Sequence, residues 1–116
     1  MSPWYFDPQS GGTAVPVEVQ TEIRNRILKY AEQVGLLKRH KLEVRFRAQF
    51  CYIDALEEGA AVVTHLCRLR YSGGNKSWTL AFYTYSHEKY EPCVFESGDW
   101  YGTPEEALKI GSVYLT

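Results

Sequence analysis

The chain has 116 residues, 45% hydrophobic and 23% charged, with a formal net charge of −1. That length suits one domain with its own core, and the balance excludes a disordered chain. A charge so near zero removes any global electrostatic case for nucleic acid or a membrane surface, and no run of about 18 apolar residues could span a bilayer.

Local features carry more. Nine tyrosines and three tryptophans are more rings than a small core needs, so some are expected in a surface, cleft or interface. Between Lys38 and Arg47 five basic side chains stand against Glu43, a balance of +4; from Ser86 onward six acids face two lysines, a balance of −4. The start, MSPWYFDPQSGG, lacks the basic and apolar regions of a secretory leader. Cys51, Cys67 and Cys93 are odd in number and follow no framework spacing, which predicts reduced thiols in a cytoplasmic protein.

Residues 1–15 are punctuated by Pro3, Pro8, Gly11 and Gly12 and read as an N-terminal arm, with Trp4-Tyr5-Phe6 as its docking cluster; residues 16–116 read as a single α+β domain. Val19, Ile23, Ile27, Tyr30, Ala31 and Val34 recur with period 3.6, which predicts a helix over 17–34 capped by Gly35. From Leu42 the period becomes two. One long strand is expected over 42–52, with Leu42, Val44, Phe46, Phe50 and Tyr52 on one face and Glu43, Arg45 and Arg47 on the other. After the ALEEGA turn a second strand over 61–71 sets Val63, His65, Cys67, Leu69 and Tyr71 against Thr64, Leu66, Arg68 and Arg70, and SGGN at 72–75 signals a hairpin. A third strand places Trp78, Leu80 and Phe82 inward and Tyr83, Tyr85 and His87 outward. A short fourth strand, Tyr90 to Phe95, carries Pro92 and belongs at an edge. Thr103-Pro104-Glu105-Glu106 is a capping box opening a helix over 104–115, with Ala107, Ile110, Gly111 and Tyr114 inside.

The expected fold is therefore an antiparallel meander of three to four strands with the N-terminal and C-terminal helices on one sheet face. The second face carries Arg45, Arg47, Arg68, Arg70, Tyr83, Tyr85 and His87. Arginine and tyrosine are enriched at protein interfaces, so self-association through that face or an edge strand, as a homodimer or with another partner, is the leading expectation. The same pattern could hold single-stranded nucleic acid, although the net charge disfavours it. A small-ligand or enzyme pocket is the other alternative, lined by Trp78, Tyr90, Trp100 and Tyr101, with His87, Glu88 and Glu91 as an acid–base group. His65, Cys67, Cys51 and His87 lack metal-ligand spacing, so neither metal nor cofactor is expected. The order helix, three strands, helix also matches the double-stranded RNA-binding domain, but TPEE at the last helix start would repel phosphate.

The blocks FRAQFCYIDA (46–55), CRLRY (67–71), FYTYSHEKYEP (82–92) and GTPEEAL (102–108) resemble those of a group of small uncharacterised bacterial proteins. The resemblance implies no established activity and no catalytic residues; small proteins of this kind also occur among the products of mobile gene cassettes. The tail from Tyr90 to Leu115 is also similar to the ending of HicB-type antitoxins, in which a small sheet binds a toxin partner, but the proline-glycine turn of that ending is missing here.

Overall fold

The chain runs through helix α1 (Val17–Gln33), strands β1 (His40–Arg47), β2 (Phe50–Glu57), β3 (Val63–Tyr71), β4 (Trp78–Thr84), β5 (Lys89–Cys93) and β6 (Tyr101–Gly102), and helix α2 (Pro104–Gly111). This computed structural model describes residues 9–57, 59, 62–73 and 78–115. The Trp4-Tyr5-Phe6 cluster, Gly74-Asn75 and the side chain of Tyr114 lie outside the described residues. The result is an α+β fold whose sheet has the order β1-β2-β3-β4-β5, antiparallel throughout, with β6 pairing β4 beside β5.

Both helices cover the same sheet face. Ile23, Ile27 and Ala31 of α1 and Ala107 and Leu108 of α2 are fully buried against Val44, Ile53, Leu66, Leu69 and Leu80. Each such aliphatic side chain contributes about 1.5–3 kcal/mol relative to exposure. Gly111 brings α2 close to the sheet, where an added Cβ would lie 3.5 Å from Leu66 Cβ. Between the helices, Arg26 clasps Glu105 with two bonds of 2.7 and 2.9 Å. Gly35 takes the left-handed conformation expected of a cap (φ 80°), and Thr103 and Glu106 form the expected capping box. The α-helix stops at Gly111 and tightens into a 3-10 turn over Ser112–Leu115, shorter than the expected 104–115.

Two local events overturn the expected faces. The first is a hairpin inside the supposed long strand. Ala48 (φ 52°) and Gln49 make a two-residue turn between β1 and β2. Val15 N–H donates to Ala48 O at 3.0 Å and Tyr71 N–H to Gln49 O at 2.8 Å, so both carbonyls of the turn are used. The turn carries no glycine or asparagine, and alternation resumes in opposite phase beyond it. Phe50 and Tyr52 therefore stand on the outer face opposite Arg47 and Arg45, while Cys51, Ile53 and Ala55 fill the core. The second event is a β-bulge. Cys67 opposes Ile53 and His65 opposes Asp54, which leaves Leu66 as the extra residue. Leu66 and Cys67 are both buried in the core, and His65 turns to the outer face.

The sheet edges are closed. On β1, Arg24 Nη2 donates to Val44 O at 3.2 Å while its guanidinium lies over the Phe46 ring. On β5, Pro92 withholds a donor, as expected of an edge. Part of the expected arm is tied down as well: Thr13 N–H donates to Tyr71 O, Val15 is buried, and Gln9 crosses onto the outer face. Among the described residues, no helix is long and apolar enough to cross a membrane.

Candidate functional site

Cross-strand pairing sets the outer face in three rows. One runs Arg47, Phe50, Arg70, Thr79, Tyr101; the next Arg45, Tyr52, Arg68, Ala81, Pro92; the third Glu43, Asp54, His65, with Tyr83 and Tyr90 beyond. Tyr52 on β2 and Tyr90 on β5 are separated by two strands, about 14 Å on a flat sheet. Their ring centroids nevertheless lie 5.6 Å apart, so the two tyrosines lean together across the face. Beneath and beside them Ala81 and Thr79 are wholly buried, although no helix among the described residues covers this side.

The basic side chains of this face are engaged within the chain. Arg45 stacks on Tyr52 and donates twice to Asp54 Oδ2, at 2.8 and 3.2 Å. Arg68 lies over Phe50 at 4.2 Å and Tyr90 at 5.0 Å, and its Nε donates to Gln9 Oε1. Arg70 is buried and donates to Thr79 Oγ1, which also accepts from Gln9 Nε2. Arg47 is exposed. The rings meet edge to face: Tyr83–Tyr90 at 5.1 Å and Tyr83–Tyr85 at 4.8 Å. Burial, helped by the Asp54 carboxylate and opposed by Arg45, pushes the Tyr90 hydroxyl above its ordinary range and keeps it a neutral hydrogen-bonding group.

Asp54 is the pivot. Only 3% exposed, its carboxylate accepts from Arg45 on one oxygen and meets His65 Nδ1 at 2.8 Å on the other. A carboxylate only accepts, so this bond places a proton on His65 Nδ1. Two tyrosines hold the imidazole in place. Tyr83 packs against it at 4.8 Å, and the Tyr85 hydroxyl accepts from the His65 backbone N–H at 2.9 Å.

A cleft of about 610 Å³ opens at this end of β3, β4 and β5, with His65, Phe82, Tyr83, Tyr85, Glu91 and Cys93 in its lining. Glu91 bonds His87 Nδ1 at 2.8 Å from the rim. The two histidine–carboxylate pairs take opposite sides of the sheet: Glu91 stands opposite Phe82 on the helix side, and His65–Asp54 on the outer face. Burial raises the pKa of the Cys93 thiol, and Cys93 Sγ donates to Val94 O, both of which disfavour the thiolate. Cys51 and Cys67 lie in the core, where burial pushes Cys67 up to about 12.

The expected pocket of Trp78, Tyr90, Trp100 and Tyr101 does not form. Trp78 is wholly buried on the helix side beside Tyr71, Tyr90 stands on the outer face, and Trp100 and Tyr101 are exposed around β6. Strand alternation separates Trp78 from Tyr90. Likewise His65 and Cys67 face opposite sides, and among the described residues no three His, Cys, Asp or Glu side chains converge as metal ligands. Glu88, in a left-handed turn position at φ 51°, is exposed; Asp54 pairs with His65 and not with the His87 group. Periodicity missed Phe50, Tyr52, His65 and Gln9 as outer-face residues. The alternation of Cys51, Ile53 and Ala55 was the one signal that could have found the first two.

No family model matches the chain, and neither a curated protein nor a solved structure matches it.

Proposed function

We propose that this protein is a small-ligand-binding protein whose site is the cleft at the end of β3, β4 and β5. One observation carries the reading: a cleft of about 610 Å³ is lined by Phe82, Tyr83 and Tyr85 together with Glu91, whose carboxylate is held by His87 at 2.8 Å. That volume falls in the range of small-molecule sites, and an aromatic lining with a few polar groups in fixed orientation is the usual chemistry of one. The three free cysteines fit a reducing, cytoplasmic setting.

The test is a fragment screen read by amide and side-chain NMR. Binders should shift His65, Tyr83, Tyr85 and Glu91 together while leaving α1 unmoved. A screen whose hits all fall elsewhere, or that finds none, removes the cleft as the site.

Self-association as a homodimer is the second reading. Tyr85 beyond one end of β4 and Trp100 and Tyr101 beside the other are 57%, 40% and 43% exposed, and exposed rings favour a partner. Single-stranded nucleic acid draws less support. The rings pack on one another, and Arg45, Arg68 and Arg70 are already bonded within the chain.

A further inference from the structure

The charges of this chain are sorted by sheet border. A 3-10 turn, Leu36–Lys38, leads into β1, the strand at one border, and between Lys38 and Arg47 five cations stand against Glu43, a balance of +4. Arg45 is taken by Asp54, and Glu57 stands opposite His40. Lys38, Arg39, Lys41 and Arg47 remain. All four are exposed, and among the described residues none has a carboxylate within ion-pair range. The opposite border is β5 with the loop that joins it to β6, where Glu88, Glu91, Glu96 and Asp99 stand against Lys89, a balance of −3.

Four strand spacings separate β1 from β5, about 19 Å on a flat sheet. Salt screens exposed charges beyond about 8 Å at physiological ionic strength, so the two borders do not neutralise each other within one chain. They come within that range when the cationic border of one molecule meets the acidic border of the next. Both signs are carried by this one chain, which makes a second copy the complementary partner. We propose that the protein self-associates head to tail, with Lys38, Arg39, Lys41 and Arg47 of one copy against the β5 border of another. A contact between unlike surfaces repeats, so the assembly grows beyond two copies as a chain or ring. Arg24 and Pro92 hinder main-chain pairing at the two borders, and the contact is therefore made by side chains and weakened by salt. It does not depend on the cleft.

Sedimentation velocity of the full chain tests it. At about 20 mM salt the mean mass should rise with protein concentration, and the apparent Kd should weaken about tenfold by about 200 mM. Lys38→Glu with Lys41→Glu cancels the cationic border, and Glu88→Lys with Glu96→Lys cancels the acidic one. All four side chains are exposed, and the one ion pair lost, Glu96–Lys109, is itself exposed, so both variants should fold, which NMR spectra check. Each variant alone should be monomeric. Mixed in equal amounts they should form one-to-one pairs and nothing larger, because one keeps the acidic border and the other the cationic border. A monomer at low salt, an assembly that salt leaves intact, or a mixture that does not pair would overturn the proposal. A short single-stranded oligonucleotide held by a monomeric protein, and lost in Lys38→Glu with Lys41→Glu, would overturn it too and give the cationic border to nucleic acid.

Discussion

Burying the Asp54 carboxylate on the sheet face away from the helices costs hydration that only strong partners replace. Arg45 and His65 are those partners, and they are not equal. Arg45 remains 46% exposed and can return to water, whereas His65 is pinned by Tyr83 and Tyr85 as well as by Asp54. Asp54→Ala should therefore lower stability by about 1–3 kcal/mol, the range for orphaning a buried partner, and not by the larger loss of a wholly buried pair. Urea denaturation measures it, and an unchanged midpoint would mean that the carboxylate contributes nothing to the fold. Both residues were visible in the sequence, yet the bond between them was not. Asp54 lay beyond the expected end of the first strand and His65 was assigned with Val63 and Cys67 to the inner alternation, and only the extra residue Leu66 turns His65 onto the face of Asp54.

Helices, caps and the edge proline were legible because each rests on a short-range rule: period 3.6 for α1, Thr103 with Glu106 for α2, a missing donor at Pro92. Strand faces were not, because alternation has no memory across a hairpin or a bulge. The hairpin at Ala48 hid behind an alanine in a conformation that costs L-residues about 1–2 kcal/mol. Ala48 is exposed, so Ala48→Gly should relieve that strain at little packing cost and gain about 0.5–1 kcal/mol after the entropy of the unfolded glycine. A lower melting temperature would show that the turn does not need a positive φ. The clasp between helices predicts a pH dependence. The hydrogen bond from Arg26 holds Glu105 below its ordinary value of 4.5, against an opposing push from burial. A carboxyl depressed by folding contributes stability that is complete above its unfolded value and disappears as pH falls through the folded one. Arg26 stays charged throughout, so the titration belongs to Glu105. Glu105→Gln should flatten the loss of stability below pH 4.5, seen as melting temperatures of the two proteins converging in acid. Parallel curves would place the clasp outside the stability balance.

Across the whole molecule the two sheet faces do different work. One is roofed by helices and closed by aliphatic packing. The other is filled by its own arginines and rings, so that what remains open is the tyrosine rim and the cleft beneath it. A homodimer built on the exposed Tyr85, Trp100 and Tyr101 should dissociate when Trp100→Ala and Tyr101→Ala are combined, read by light scattering after gel filtration. A monomer in the unaltered protein would leave that rim to other partners. The sequence could place these rings outside the core, but Tyr101 joins the sheet only because β6 returns to pair with β4, Tyr101 beside Thr79, which no local pattern announces.

A five-stranded antiparallel sheet exposes two rows of peptide groups that could recruit further strands without limit. Here Arg24 reaches from α1 to occupy the Val44 carbonyl on one border, and Pro92 is mute on the other. The same arginine that packs on Phe46 thus interrupts one row of acceptors, the kind of edge device by which sheets resist adding strands from neighbouring molecules.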